Sequence, residues 1–151
     1  MYTLSARVFI SYSHKDNRWR TMFEKQLKTL VQEQLLEIWS DQMLSAGEHW
    51  YPSIGNAIES ADVGILLISA DYLTSKFVME KEVPRLLERR HREGMLIVPV
   101  ICRPCPWRQI PWLSSMLVRP HDGRPLSLRA FPQIEVEITA IVEEVLDLVG
   151  C

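Results

Sequence analysis

Several marks of specialised protein classes are missing from this chain. Cysteine is scarce: Cys102, Cys105 and Cys151 are the only three. The amino-terminal Met-Tyr-Thr-Leu-Ser-Ala-Arg is too short and polar for a signal peptide. An odd cysteine count without such a signal argues for reduced thiols and a cytoplasmic location. No apolar run is long enough to span a bilayer, so no membrane association is expected. Charge of neither sign dominates; the net charge of −2 gives no bulk attraction to nucleic acid or anionic lipid. A basic patch interleaved with aromatics, which would suggest direct nucleic-acid binding, is also missing. There is no internal repeat, low-complexity tract or flexible linker. No H-x-E or HExxH pattern occurs, and no metal is expected. Cys102-Arg-Pro-Cys105 has C-x-x-C spacing. A zinc site would want a second ligand pair, and a redox pair would want a helix start that the flanking prolines resist, so both read as loop cysteines.

What is present suits one globular domain over residues 1–151, with 47% apolar and 24% charged residues. Arg7–Tyr12 reads as a strand buried on both faces through Val8, Phe9 and Ile10. Asp16 to about Leu36 reads as a helix, with Trp19, Phe23, Leu27, Leu30 and Val31 at helical spacing and Asp16 or Asn17 as cap. Leu36–Trp39 is a short strand, Ser40–Glu48 a loop, His49–Ser60 a helix and Asp62–Ser69 a central strand. A loop starts at Tyr72–Thr74. A helix spans about Phe77 to His91, with an irregular first turn anticipated from Pro84. Met95–Ile101 is a fourth strand, 102–115 a Pro- and Trp-rich loop, Met116–Arg119 a short fifth strand and Ile134–Val149 the last helix. Arg85, Arg89, Arg90 and Arg92 alternate with Glu88 and Glu93, a solvated helix face with i,i+4 pairs in preference to an assembly surface.

Alternating strands and helices predict an α/β fold. The expectation is a flavodoxin-like three-layer sandwich around a parallel sheet of order 2-1-3-4-5. In such sheets ligands bind at the carboxyl ends of the strands. There the chain places Ser11, Tyr12, Ser13, His14 and Asp16 after the first strand. His49, His91 and His121 read as solvent-facing.

Four segments in register resemble the Toll/interleukin-1 receptor (TIR) domain family, most closely its bacterial type. Phe9-Ile-Ser-Tyr-Ser13 is similar to the family's first box. Ile38-Trp-Ser-Asp41 through Gly47-Glu-His-Trp50 is similar to its second strand and BB loop. Ile58 to Ser69 resembles the third-strand region, and Ser69 to Glu82 resembles the stretch that carries the glutamate of NAD-cleaving members. The match covers roughly residues 6–101. The family's Phe-Trp box has no counterpart, and Val78 stands four before Glu82 where many members have Trp.

The resemblance implies an enzyme that cleaves the nicotinamide–ribose bond of NAD+, giving nicotinamide and ADP-ribose or cyclic ADP-ribose. NAD+ is then the substrate, and neither cofactor nor metal is needed. It implies Glu82 as the catalytic carboxylate, with Glu80 as the competing assignment. Glu82 is expected in the first turn of its helix, where the helix N-terminus favours the anion. Its alternative is a capping role, with Ser75 as another possible cap. An NAD-binding crevice is implied around Phe9, Ser11, Tyr12, Ser13, His14, Trp39, Asp41, Ser69, Tyr72 and Phe77. Ser11 alternatively satisfies loop backbone, and Asp41 an Asx turn. Trp39 and Trp50 either stack on a ring of the substrate or pack into the core.

Relatives act when assembled, so Met43, Leu44, Ser45, Ala46, Gly47, Glu48, His49 and Trp50 are the expected self-association loop. A fused or separate sensor domain is a further expected partner. Antiphage defence through NAD depletion is the implied role. The rival is a non-catalytic TIR module that signals by docking. A phospho-accepting receiver shares the sheet order but needs an aspartate ending the third strand, where Ile68-Ser69 stands.

Overall fold

The computed structural model describes residues 5–40 and 50–150, with side chains in the second stretch from residue 53. Its centre is a parallel sheet of order β2-β1-β3-β4, made by β1 (Ala6–Ser11), β2 (Leu36–Ser40), β3 (Val63–Ile68) and β4 (Leu96–Ile101). β1 pairs with β2 and β3, and Val8 faces Ile38 on one side and Val63 on the other. Val-Gly-Ile-Leu-Leu-Ile of β3 is buried at every position. Only a strand covered on both faces tolerates so continuous an apolar run.

Side-chain alternation divides the core in two. Val8, Ile10, Ile65 and Leu67 meet Trp19, Phe23 and Leu27 of α1 (Asn17–Gln32). The same layer takes Ile134, Ile138, Ile141, Val142 and Val145 of α6 (Phe131–Val149). Phe9, Leu66 and Ile68 face the other way. They pack with Ile54 and Ile58 of α2 (Trp50–Ser60), Tyr72 of α3 (Ala70–Thr74), and Val83 and Leu86 of α4 (Val83–Glu93). A four-residue α5 (Pro111–Ser114) lies within the long loop expected over 102–115.

Several expectations are corrected. The first helix stops at Gln32 rather than Leu36: Gln34 takes the left-handed conformation (φ 61°), and Leu35 N–H reaches back to the Leu30 carbonyl at 3.0 Å. This 6→1 closure usually uses glycine, which hid the stop. The loop expected from Tyr72 is instead the helical turn α3, because Ser69 caps it by accepting the Tyr72 N–H at 3.0 Å. Met116–Arg119 does not form a strand. One parallel bridge joins Arg119 to Val100, and the next residue, Pro120, offers no N–H to continue a ladder.

The irregular start foreseen from Pro84 is a π-turn, Val78–Glu82, in which Val83 N–H bonds the Val78 carbonyl. Pro84 has no amide hydrogen for the regular pattern, and the wider turn accommodates its ring. Gly94 closes α4 at φ 70°, which favours glycine. The basic run on α4 includes the expected pairs, Arg89 with Glu93 at 2.7 Å and Arg92 with Glu88 at 3.5 Å. Arg89 does more: its guanidinium donates to the Ile58 carbonyl at 2.7 Å and to that of Ala61, tying α4 to the end of α2. Among the described residues no helix is long and apolar enough to cross a membrane.

Candidate functional site

Ser11 is the last residue of β1 and, like Phe9, points to the α2–α4 face. It is buried, and its hydroxyl donates to Glu82 Oε1 at 2.6 Å. The Tyr72 hydroxyl lies 2.9 Å from the same Ser11 oxygen. Three polar side chains from β1, α3 and the π-turn therefore converge where the first strand ends.

Proton counting gives this triad a direction. Ser11 has one hydroxyl proton and spends it on Glu82, so the Tyr72 hydroxyl donates to Ser11. Tyr72 is well placed to keep its proton. Burial pushes its phenol well above the usual range, the negative charge of Glu82 adds to that, and the Ser11 contact opposes both.

Glu82 is 1% exposed, whereas Glu80 is exposed. Within the π-turn Val78 and Glu82, four residues apart, face inward together, while Glu80 and Lys81 lie outside. Glu82, expected in the first turn of its helix, ends a π-turn that leads into α4. It makes no side-chain cap to α4; Ser75 accepts the Val78 N–H at 3.3 Å.

The other expected site residues scatter. Phe9 is buried and stacks on Trp39 across the β1–β2 pair, with centroids 5.3 Å apart and planes at 11°. Trp39 is half-buried and packs against that layer. It also borders a cleft of about 180 Å3 with Arg7, Glu37 and Ser60, at the amino ends of the strands and away from Ser11. Tyr12 is buried in the opposite layer, its ring 5.9 Å from that of the exposed His14. Ser13 caps the short turn His14–Asp16 by accepting Lys15 N–H at 3.3 Å. Phe77 is half-buried directly before the π-turn. His91 and His121 are exposed as expected. Asp41, Met43, Leu44, Ser45, Ala46, Gly47, Glu48 and His49 lie outside the described residues, as does the Trp50 side chain.

Two polar clusters built on the buried carboxylates Asp16 and Glu24 were not anticipated as such. Asp16, expected as a helix cap, makes no capping bond and instead accepts from Arg103 Nε at 2.8 Å and from the Ser69 hydroxyl. Arg103 belongs to the C-x-x-C loop and had no expected role; it also pairs with Asp71. Cys102 and Cys105 on either side are free thiols. Where β2 ends, Ser40 donates to Glu24 Oε2 at 2.8 Å, and Glu24 Oε1 pairs with Arg20 at 3.0 Å.

Comparison with known proteins bears on the family and the fold. The TIR domain family model matches residues 8–127. The uncharacterized protein y4lF of Sinorhizobium fredii is 33% identical over 143 residues, 95% of this chain and 43% of that protein. The chain thus spans less than half the length of this curated relative. The TIR domains of the activated Roq1 resistosome superpose with a TM-score of 0.55 at 19% identity, covering 92% of this chain and 84% of theirs. The TIR domain of the Toll-related receptor TRR-2 from Hydra magnipapillata gives 0.53 at 20% identity, with coverages of 84% and 96%. A prokaryotic SEFIR domain gives 0.55 at 15% identity, with coverages of 92% and 91%. At these identities the superpositions speak for the fold, and the family match over most of the sequence settles membership: the chain belongs to the TIR domain family.

Proposed function

We propose that this TIR domain is an NAD+ glycohydrolase with Glu82 as its catalytic carboxylate. The observation that carries the reading is the inward-facing Glu82, oriented by Ser11 and Tyr72 where β1 ends, while Glu80 faces out. Cleavage breaks the bond from nicotinamide nitrogen to the ribose anomeric carbon. Nicotinamide leaves as a neutral ring with the bonding electron pair and needs no strong acid. Positive charge grows on the ribose, and a fixed carboxylate stabilises it. Attack by water, with loss of its proton, gives ADP-ribose; attack from within the adenine gives the cyclic product.

Glu82 at 1% exposure is covered in the isolated chain. The reading therefore couples activity to self-association, with the segment 41–50 as the contact that uncovers the crevice. The sensor that triggers assembly would be a fused or separate domain. The greater length of the curated relative is consistent with a fused one. The setting proposed is the bacterial cytoplasm, with NAD depletion as an antiphage response.

The same burial favours a second reading, a docking module whose carboxylate never meets substrate. Nicotinamide release by concentrated or crowded protein separates the two. Wild type and Glu80→Ala should turn over NAD+ while Glu82→Ala does not. Loss in Glu80→Ala alone transfers the role to Glu80. No turnover by assembled wild type leaves the docking module.

A further inference from the structure

Asp16 is a buried carboxylate that the chemistry above does not use. It lies in the loop after β1 and engages two other parts of the fold. Its Oδ1 accepts from Arg103 Nε, in the turn after β4, and its Oδ2 accepts from the Ser69 hydroxyl, at the end of β3. Arg103 also reaches Asp71 in the first turn of α3, and Lys15 Nζ lies 3.8 Å from Asp71. The loops after three adjacent strands are thereby held together at the sheet's carboxyl edge.

Donor counting shows what this cluster controls. A carboxylate only accepts, so the one proton of Ser69 goes to Asp16. Ser69 is left with lone pairs alone, and they receive the Tyr72 N–H at 3.0 Å. Tyr72 thus presents its amide to the Asp16 cluster and its phenol to the Glu82 triad. One residue joins two buried polar centres.

We propose that Asp16, braced by Arg103, is a positioning residue for the Glu82 site. It fixes the Ser69 hydroxyl, the hydroxyl fixes the first turn of α3, and that turn sets the Tyr72 phenol that orients Ser11 toward Glu82. The inference rests on the NAD-cleaving reading of Glu82. It also separates Asp16 from ordinary bracing. Arg119 and Glu144 form a comparable pair, with two contacts of 2.6 Å, but they join the β4 edge to α6 and touch no member of the triad.

The test compares NAD+ turnover by assembled wild type, Asp16→Asn, Ser69→Ala, the double variant and Glu144→Gln. A hydrogen-bonded positioning chain predicts at least about a tenfold fall in kcat for each single variant, with KM within about twofold. The double variant should be no worse than the poorer single, because both act through one chain. Glu144→Gln should lose stability and keep kcat. Unchanged kcat in both single variants, multiplied losses in the double, or an equal fall in Glu144→Gln would each overturn the proposal. If Asp16→Asn does not fold, Arg103→Gln takes its place under the same criteria.

A second readout needs no turnover. The Tyr72 amide resonance should move in Asp16→Asn or Arg103→Gln and stay put in Glu144→Gln. A stationary Tyr72 amide refutes the positioning chain even in an active enzyme. An inactive wild type with a moving Tyr72 amide refutes the enzymatic reading and, with it, any catalytic effect of Asp16.

Discussion

Ser11 and Ser13 lie two residues apart in one motif, and their structural roles differ enough to be separated by stability alone. Ser11 is buried, donates to the Glu82 carboxylate at 2.6 Å and receives the Tyr72 hydroxyl. Ser11→Ala deletes one oxygen and leaves almost no cavity, so its cost is the loss of those bonds. A hydrogen bond to a charged group contributes about 1.5–3 kcal/mol and a neutral one about 1 kcal/mol. The expected loss is about 3 kcal/mol, which in a chain of this size lowers Tm by roughly 6–12 °C. Ser13→Ala removes only a long contact with Lys15 N–H and should cost about 0.5–1 kcal/mol. Urea unfolding followed by tryptophan fluorescence reports both, since Trp19 and Trp107 are buried. If the two variants unfold within about 0.5 kcal/mol of each other, the Ser11–Glu82–Tyr72 triad is not a strong polar centre and the geometry has been misjudged.

Other consequences are accessible to simple assays. The Arg119 guanidinium holds the Glu144 carboxyl below its ordinary 4.5, against an opposing effect of burial. A depressed folded value stabilises the protein above the unfolded value and is lost as pH falls through the folded one. The stability gap between wild type and Glu144→Gln should therefore be full at neutral pH and shrink on acidification below about 4.5, as urea midpoints across pH would show. Burial pushes the Cys102 and Cys105 thiols up, and Cys102 is the more deeply enclosed. Timed alkylation with mass spectrometry should find Cys105 modified before Cys102. Gly123 holds φ 74°, and a Cβ there would meet the end of Arg108 at 2.7 Å and the Trp107 ring at 3.1 Å. Gly123→Ala should cost more than about 1 kcal/mol in thermal unfolding; a neutral result would mean that the turn relaxes.

The sequence was most legible where local pattern and global fold agree. β3 could be read from Val-Gly-Ile-Leu-Leu-Ile because so short an apolar run between polar flanks suits a central parallel strand, and the order of the first four strands followed from the flavodoxin-like pattern with β1 central. The irregular turn was half-visible through Pro84, and Glu82 was expected to face inward from the first helical turn; what no local pattern showed was that the turn is a π-turn. Two misses had local signals. Ser69 followed by Asp71 is a helix start, and a helix can close on Gln34 when a 6→1 bond supports it. The Asp16–Arg103 pair had none. Its partners are 87 residues apart, and Arg103 sits in a loop whose cysteines drew attention instead. Such contacts depend on which strand ends meet, so they appear only once the sheet order is built.

The burial of Glu82 need not count against an enzyme. A carboxylate kept only for the fold has little reason to exist there, since enclosing a charge costs several kcal/mol before partners offset it. An apolar residue of similar size in the same place, between Val78 and Val83, would be the simpler solution. The chain instead keeps a carboxylate with a relay of hydrogen bonds behind it: Ser11 aimed at Glu82, Tyr72 aimed at Ser11, and Tyr72 held in turn through Ser69. Two buried polar centres sharing one tyrosine are costly as scaffolding, but they give a carboxylate a fixed orientation before substrate arrives. Preorganisation of that kind is what stabilising a short-lived positive charge requires. On the NAD-cleaving reading proposed above, enclosure of Glu82 keeps a lone chain silent until neighbouring copies shift the elements that cover it.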